Sequence, residues 1–229
     1  MRDYTDGQLE ALKWIALASM FVDHFGRHLL GWEQHSIVFA AGRIAFPLFA
    51  LVLGLNLARP GDRAGRALRT SVRLAVACAV SVLPSIWARG DPAVVNIFGT
   101  LALGTALCWL LATPGHVGWR VALCLAIAYA SGHVEYDLLG VFLIPAIYLW
   151  RVEEDRAFAM LALVLFLAVA NLNRSFGGAY GLVGTLLALP LAMVLGRVRV
   201  EVPRMRWLFY AIYPVHLALI GALKRGLFG

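Results

Sequence analysis

Charge is scarce in this chain. Only 14% of its 229 residues are Asp, Glu, Lys or Arg against 61% hydrophobic, and the mean hydropathy is +0.78. So little charge excludes a soluble domain, whose surface would be too apolar to stay in solution. Acidic residues are the scarcest, 13 against 20 Lys and Arg, which leaves a net charge of +7. That excess does not point to nucleic acid. The arginines cluster in short loops between apolar runs, as cytoplasmic loops of membrane proteins do. Cysteine is nearly absent, and Cys78, Cys108 and Cys124 form an odd set inside apolar segments without ligand spacing. They read as small core residues. No internal repeat is visible, which argues against an inverted-repeat transporter. The N-terminal stretch MRDYTDGQLEALKWIAL lacks a small-residue cleavage site, so the first apolar segment is expected to remain in the protein.

What is present is a series of apolar runs. A span needs about 20 residues to cross roughly 30 Å of hydrocarbon. The chain offers about nine: residues 10–30, 36–58, 67–89, 93–113, 117–132, 135–150, 157–173, 178–196 and 205–223. The fifth and sixth are short, so eight to ten spans fit the pattern. The expected fold is an all-α polytopic integral membrane protein, one domain over residues 1–229 built as a bundle of about nine transmembrane helices. Pro47, Pro84, Pro145, Pro190 and Pro214 fall inside the runs and predict kinks. Arg59, Arg63, Arg66 and Arg69 follow the second span, Arg120 the fourth, Arg151 and Arg156 the sixth, and Arg197, Arg199, Arg204 and Arg206 the eighth. The alternate loops hold only Arg27, Arg89 and Arg174. With nine spans, the positive-inside rule puts the N-terminus in the cytoplasm and the C-terminus outside, against which Lys224 and Arg225 stand as exceptions.

Within the apolar runs a few ionisable residues persist: Asp23, His24, Arg43, Asp137 and His216. An ionised side chain at mid-membrane costs about 2.5 kcal/mol or more, so several retained together point to a polar site enclosed by helices. Asp23 and His24 lie about 20 Å along the first helix, in its outer half. Asn96, Tyr136, Asn171, Asn173 and Arg174 also fall toward the outer ends of their segments. His24 is the candidate general base, since a neutral imidazole accepts a proton near pH 7. Its neighbour Asp23 points about 100° away around the helix and is expected to pair with Arg43 or with Arg27. The bland alternative is a structural ion pair beside a satisfied core histidine. His24 and His28 have the i, i+4 spacing of metal ligands, but only Asp23 or the remote His216 could supply a third, so no metal is expected.

Arg66, Arg69 and Arg73 share one helical face at i, i+3 and i+7. They would anchor to lipid phosphates or form a claw for a phosphorylated cytoplasmic cofactor. Near the C-terminus FYAIYPVHLAL places Tyr213 and His216 at i, i+3, where an aromatic cluster is the structural reading. Asn96 and Thr100 form a further i, i+4 polar pair, which as a structural feature would be glue between helices.

Six segments in order, LKWIALASMFVDHFG (12–26), GRIAFPLFALVLG (42–54), RTSVRL (69–74), NIFGTLALG (96–104), GVFLIPAIYLW (140–150) and FYAIYPVHLALI (209–220), resemble the TraX family. Those are polytopic proteins linked to conjugation that N-acetylate F-type pilin subunits, and they resemble the wider membrane acyltransferase superfamily. The most specific pieces are the DH pair, GR-x-AFPLFA and YP-x-HL; residues 105–135 match least. The resemblance implies a bacterial inner-membrane acetyltransferase that uses acetyl-CoA and a pilin N-terminal amine at the outer face. His24 then matches the DH histidine and base, Asp23 and Arg43 match further motif positions, and His216 matches the histidine of YP-x-HL. Acetyl-CoA would dock at Arg66, Arg69 and Arg73. The acetyl oxyanion would draw on Arg43, Tyr213, Asn96 or His216. Direct transfer and an acetyl-histidine intermediate both remain open. Two readings of other classes compete: a proton-coupled transporter or flippase with Asp23, His24 and His216 as a relay, and a non-catalytic membrane chaperone for pilin or another small membrane protein.

Overall fold

A computed structural model describes residues 4–228, and their side chains except those of 206, 227 and 228. The first three residues of the N-terminal stretch and the side chain of Arg206, both used above, lie outside the described residues. Helices α1 (Asp6–His24), α2 (Ile37–Arg43), α3 (Ala45–Ala58), α4 (Arg63–Arg89), α5 (Ile97–Ala112), α6 (Val117–Ser131), α7 (Asp137–Glu153), α8 (Arg156–Leu195) and α9 (Arg206–Phe228) follow one another, with a π-helical turn at Phe25–Leu29. Among the described residues there is no strand, only a lone bridge between Val95 and Val134. The all-helical expectation holds.

The expected count of about nine spans is not borne out. Four helical stretches, Ile37–Ala58, Arg63–Arg89, Arg156–Leu195 and Trp207–Gly226, are long and apolar enough to cross a membrane. Helix α1, 19 residues long, falls short because it carries Glu10, Lys13 and Asp23, and α5, α6 and α7 fall short by length. At 1.5 Å per residue, the 16 residues of α5 and the 15 of α6 reach only about 24 and 22 Å. Helix α8 departs in the other direction. Its 40 residues contain a break at Gly177 and Gly178, the latter at φ 56°, ψ −139°, a backbone region open essentially to glycine alone. Asn173 Nδ2 donates to Thr185 Oγ1 at 2.8 Å, and the Asn173 carbonyl lies against Gly181, so the residues flanking the break pack on one another. The break separates the two runs expected at 157–173 and 178–196. Outward faces stay apolar: Val72, Val76, Val80 and Leu83 form a stripe along α4 exposed by 53–64%, as a lipid-facing helix requires.

Contacts divide the chain into two compact units, although the sequence carries no linker to part its expected single domain. One comprises the residues up to Val52, Trp87–Arg89, and those from Val169 onward; the other comprises Leu53–Ile86 and Gly90–Ala168. In the first unit Thr5 and Gln8 close a capping box at the start of α1. The Gln8 amide also donates to the carbonyls of Gly196 and Val198, while buried Glu10 accepts from the Met205 amide and pairs with Lys13 at 2.5 Å. The arginine-rich loop before α9 is thereby tied to α1. Trp14 meets Phe209 of α9 edge-on at 5.3 Å. In the second unit, Gly104 lets α5 approach Val141 and Ile144 of α7, and Leu107, Leu110, Ile127 and Val141 form a core shared by α5, α6 and α7.

Candidate functional site: a buried charge cluster beside a histidine pair

The first unit gathers polar groups where α1 runs into its π-helical turn. Helix α1 is regular through His24, after which the backbone widens, and Leu30 N–H reaches the Phe25 carbonyl at 3.1 Å. Single π turns of this kind recur at functional sites. Asp23, on the last α-helical turn, is 2% exposed. Its Oδ2 accepts from Arg43 Nη2 at 2.6 Å and from Arg27 Nη2 at 2.9 Å. Arg27 Nε lies 2.9 Å from Oδ1 but off the donor direction, so that contact is one of charge rather than a hydrogen bond. The two partners considered for Asp23 are both engaged. Phe39 of α2 presents its ring to both guanidinium groups, 4.4 Å from that of Arg43 and 5.4 Å from that of Arg27. One carboxylate thus faces two cations, and the cluster keeps one net positive charge.

Gly42 makes this approach of α2 attainable, because any side chain there would overlap the Asp23 carboxyl group. Ser19 adds a tie by donating to the Ala41 carbonyl. Gly26 leaves room for the Trp32 ring and Val38, which close the loop after the π turn.

Next to Asp23 on α1, His24 belongs to a histidine pair. His24 Nδ1 and His216 Nε2 are 2.7 Å apart, although 192 residues separate them in sequence. His216 is 4% exposed and its Nδ1 lies 2.9 Å from the Ile212 carbonyl. Phe21 and Tyr213 pack edge-on against the His216 ring, at 4.7 and 5.4 Å between centroids. Buried Tyr213 also meets the His24 ring at 6.1 Å, and His28 lies 5.6 Å from it. Arg89 and Lys224 add positive charge around His28. With Nδ1 turned to His216, His24 does not pair with His28 in the manner of metal ligands. Among the described residues no three His, Cys, Asp or Glu side chains gather as a metal site would need. Asp23, His24, Arg43, Tyr213 and His216 are therefore brought together.

The remaining candidates sit in the second unit, and there the structure revises several roles. Arg66 caps the end of α3: its guanidinium donates to the carbonyls of Leu57, Arg59 and Pro60 at 3.2, 2.6 and 2.9 Å. Arg66 is thus held by backbone carbonyls, unlike the two arginines that follow it on the same face. Arg69 is exposed and contacts Asp62 at 3.4 Å, and Arg73 follows one turn on, half-buried. Asn96 is buried with both ends of its amide engaged, accepting from Phe98 N–H and donating to the Cys78 carbonyl. Thr100 donates to the Glu135 carbonyl rather than joining Asn96. Asp137 is not a buried charge. It sits exposed at the start of α7, where its carboxylate accepts from Leu138 N–H.

Sequence reasoning missed Gly42, Phe39 and the π turn. Gly42 and Phe39 could have been suspected from their spacing around Arg43 on one short helix. Nothing local marks the π turn.

The profile of the family described as TraX protein matches residues 8–224. Two relatives from Escherichia coli, each called Protein TraX and one of them from strain K12, are 30% identical to this chain over 234 aligned positions. Those alignments cover 96% of this chain and 88% of each relative. No solved structure matches it.

Proposed function

Because this chain belongs to the TraX family, we propose that it is a membrane-embedded acetyltransferase that moves an acetyl group from acetyl-CoA to an amine at the outer face of the membrane. The acceptor suggested by the family resemblance is the N-terminus of a pilin subunit. The arginines of 197–206, in a loop tied to the start of α1, favour a cytoplasmic N-terminus, and the family resemblance suggests the bacterial inner membrane.

The observation that carries the reading is the contact of His24 with His216, next in the chain to Asp23 and its Arg27 and Arg43 partners. Amide formation from a thioester needs a base for the amine proton and a stabilised oxyanion. His24 is suited to the first task. The cluster is suited to the second, because its net positive charge in an apolar surround favours developing negative charge and disfavours a protonated amine. Arg43 and Tyr213 are the donors nearest in kind to the need. For the CoA phosphates, Arg69 is the best placed of the arginine series. Its contact with Asp62 is long and solvent-exposed, and a phosphate could replace it. Arg73 would join it, while Arg66 and Asn96 have structural partners already.

The direct His24–His216 contact also suits proton movement, which keeps the transporter reading as the alternative. Saturable binding of radiolabelled acetyl-CoA to purified protein, followed by transfer to a peptide with an unblocked N-terminus, separates the two. Wild type should bind and transfer. Arg69→Ala with Arg73→Ala should weaken binding, and His24→Ala should bind yet fail to transfer. A well-folded wild type that does not bind acetyl-CoA refutes the acetyltransferase reading and leaves the transporter or the chaperone.

A further inference from the structure

The hydrogen bonds beyond His24 decide which of its nitrogens reacts. A carbonyl oxygen only accepts, so the 2.9 Å contact of His216 Nδ1 with the Ile212 carbonyl places a proton on that nitrogen. A neutral His216 then has its lone pair on Nε2, which faces His24 Nδ1 at 2.7 Å. His24 must therefore carry its proton on Nδ1 and its lone pair on Nε2. The opposite arrangement would require a resting imidazolium on His216, a ring 4% exposed among apolar side chains. The two ring planes differ by only 12° with centroids 5.1 Å apart, about the N···N distance plus two ring radii. The rings thus meet edge to edge nearly in one plane, the geometry of an in-line N–H···N bond. Nothing among the described residues hydrogen-bonds to His24 Nε2, and His24 as a residue is only half-buried.

We propose that His216 is a positioning residue that holds His24 in its Nδ1–H form, so that His24 Nε2 is the atom that takes the acceptor's proton while the Nδ1 proton passes to His216. The inference rests on the acetyltransferase reading for its chemistry, though not for the tautomer. As the amine nitrogen bonds to the thioester carbon, its proton goes to His24 Nε2. The Nδ1 proton moves along the short bond to His216 Nε2, and the positive charge moves with it. His216 can take up that charge during the reaction because its Nδ1–H already donates to the Ile212 carbonyl, an acceptor that favours the charged ring. Collapse of the intermediate breaks the C–S bond, the thiolate takes the proton from His24 Nε2, and the proton on His216 returns to Nδ1 of His24. An amine and a thioester become an amide and a thiol, with no oxidant or reductant.

The test is the ¹⁵N spectrum of full-length, histidine-labelled protein in detergent, with the His24 signals assigned by their loss in His24→Gln. Wild type should show His24 protonated at Nδ1 and bare at Nε2. His216→Ala should return it to the Nε2–H form that unconstrained histidine prefers. His216→Gln, whose side-chain carbonyl can accept from Nδ1–H, should keep the tautomer but lose the relay. Both variants should lower kcat for acetyl transfer by about 100-fold, with the KM for acetyl-CoA little changed. A resting His24 protonated at Nε2, or wild-type kcat in His216→Ala, overturns the proposal; the wild-type spectrum alone decides the tautomer if that variant does not fold. A wild-type spectrum as expected with no acetyl transfer would instead overturn the acetyltransferase reading and leave the tautomer standing.

Discussion

Removing the single anion of the charge cluster should harm the fold more than removing either cation. Asp23 is 2% exposed and accepts from two guanidinium groups. In Asp23→Ala, Arg27 and Arg43 remain against the Phe39 ring without the carboxylate that bridged them, and the cluster goes from one net positive charge to two. Breaking a buried ion pair from one side costs about 3–5 kcal/mol. For a chain of this size that lowers the thermal midpoint by on the order of 10 °C. Arg43→Met is milder, because it leaves Asp23 and Arg27 as a neutral pair. Its cost should be about 1.5–3 kcal/mol, the range for one charge-assisted hydrogen bond. The double variant Asp23→Ala, Arg43→Met restores one net charge and should be less destabilised than the two single effects summed. Thermal unfolding of the purified proteins in one detergent measures all three. A midpoint for Arg43→Met equal to or below that of Asp23→Ala would refute the account of charge balance.

Three further outcomes follow from the same contacts. Gly42→Ala should overpack the interface of α2 with Asp23 and lower stability by about 1–3 kcal/mol, while Gly118→Ala, at a glycine with open space around it, should not. Arg69→Ala should change the unfolding midpoint very little, since its pair with Asp62 is 60% and 63% exposed, so weakened acetyl-CoA binding in that variant would report a lost ligand contact rather than a damaged fold. Burial pushes the Tyr4 phenol above its ordinary pKa of about 10, so its proton is held more tightly in the folded protein. Stability from this group is fully present below about pH 10 and is lost as pH rises through the folded value. The unfolding midpoint should fall in that alkaline range, and Tyr4→Phe should flatten the decline.

The membrane class was legible because hydrocarbon imposes one requirement on every segment: satisfy the backbone internally and present apolar side chains. Composition and run length report that directly. The span count was less legible. Runs such as 117–132 read as crossings by composition, while the helix that forms there, Val117–Ser131, is too short to qualify. For the site, the cost of charge in an apolar helix singled out Asp23, His24, Arg43 and His216 before any contact was known. The same logic failed for Asp137, because it treats a residue near a segment end as buried when it has solvent beside it. It also grouped Arg66 with Arg69 and Arg73 by helical spacing. Spacing describes a face, and the carbonyls that claim Arg66 lie at the end of α3 and in the loop after it.

By itself, then, the sequence determined that this chain is a helical membrane protein and which few ionisable residues its apolar helices retain. Both follow from solvation, a property each segment has alone. Only the tertiary structure decided that Asp23 serves Arg27 and Arg43 together, that Gly42 admits the helix bearing Arg43, and that His24 meets His216 across 192 residues. Those are distances between groups on different helices. Helix packing sets them through close approach at glycines and the directionality of hydrogen bonds, and neither is encoded in any single stretch of the chain.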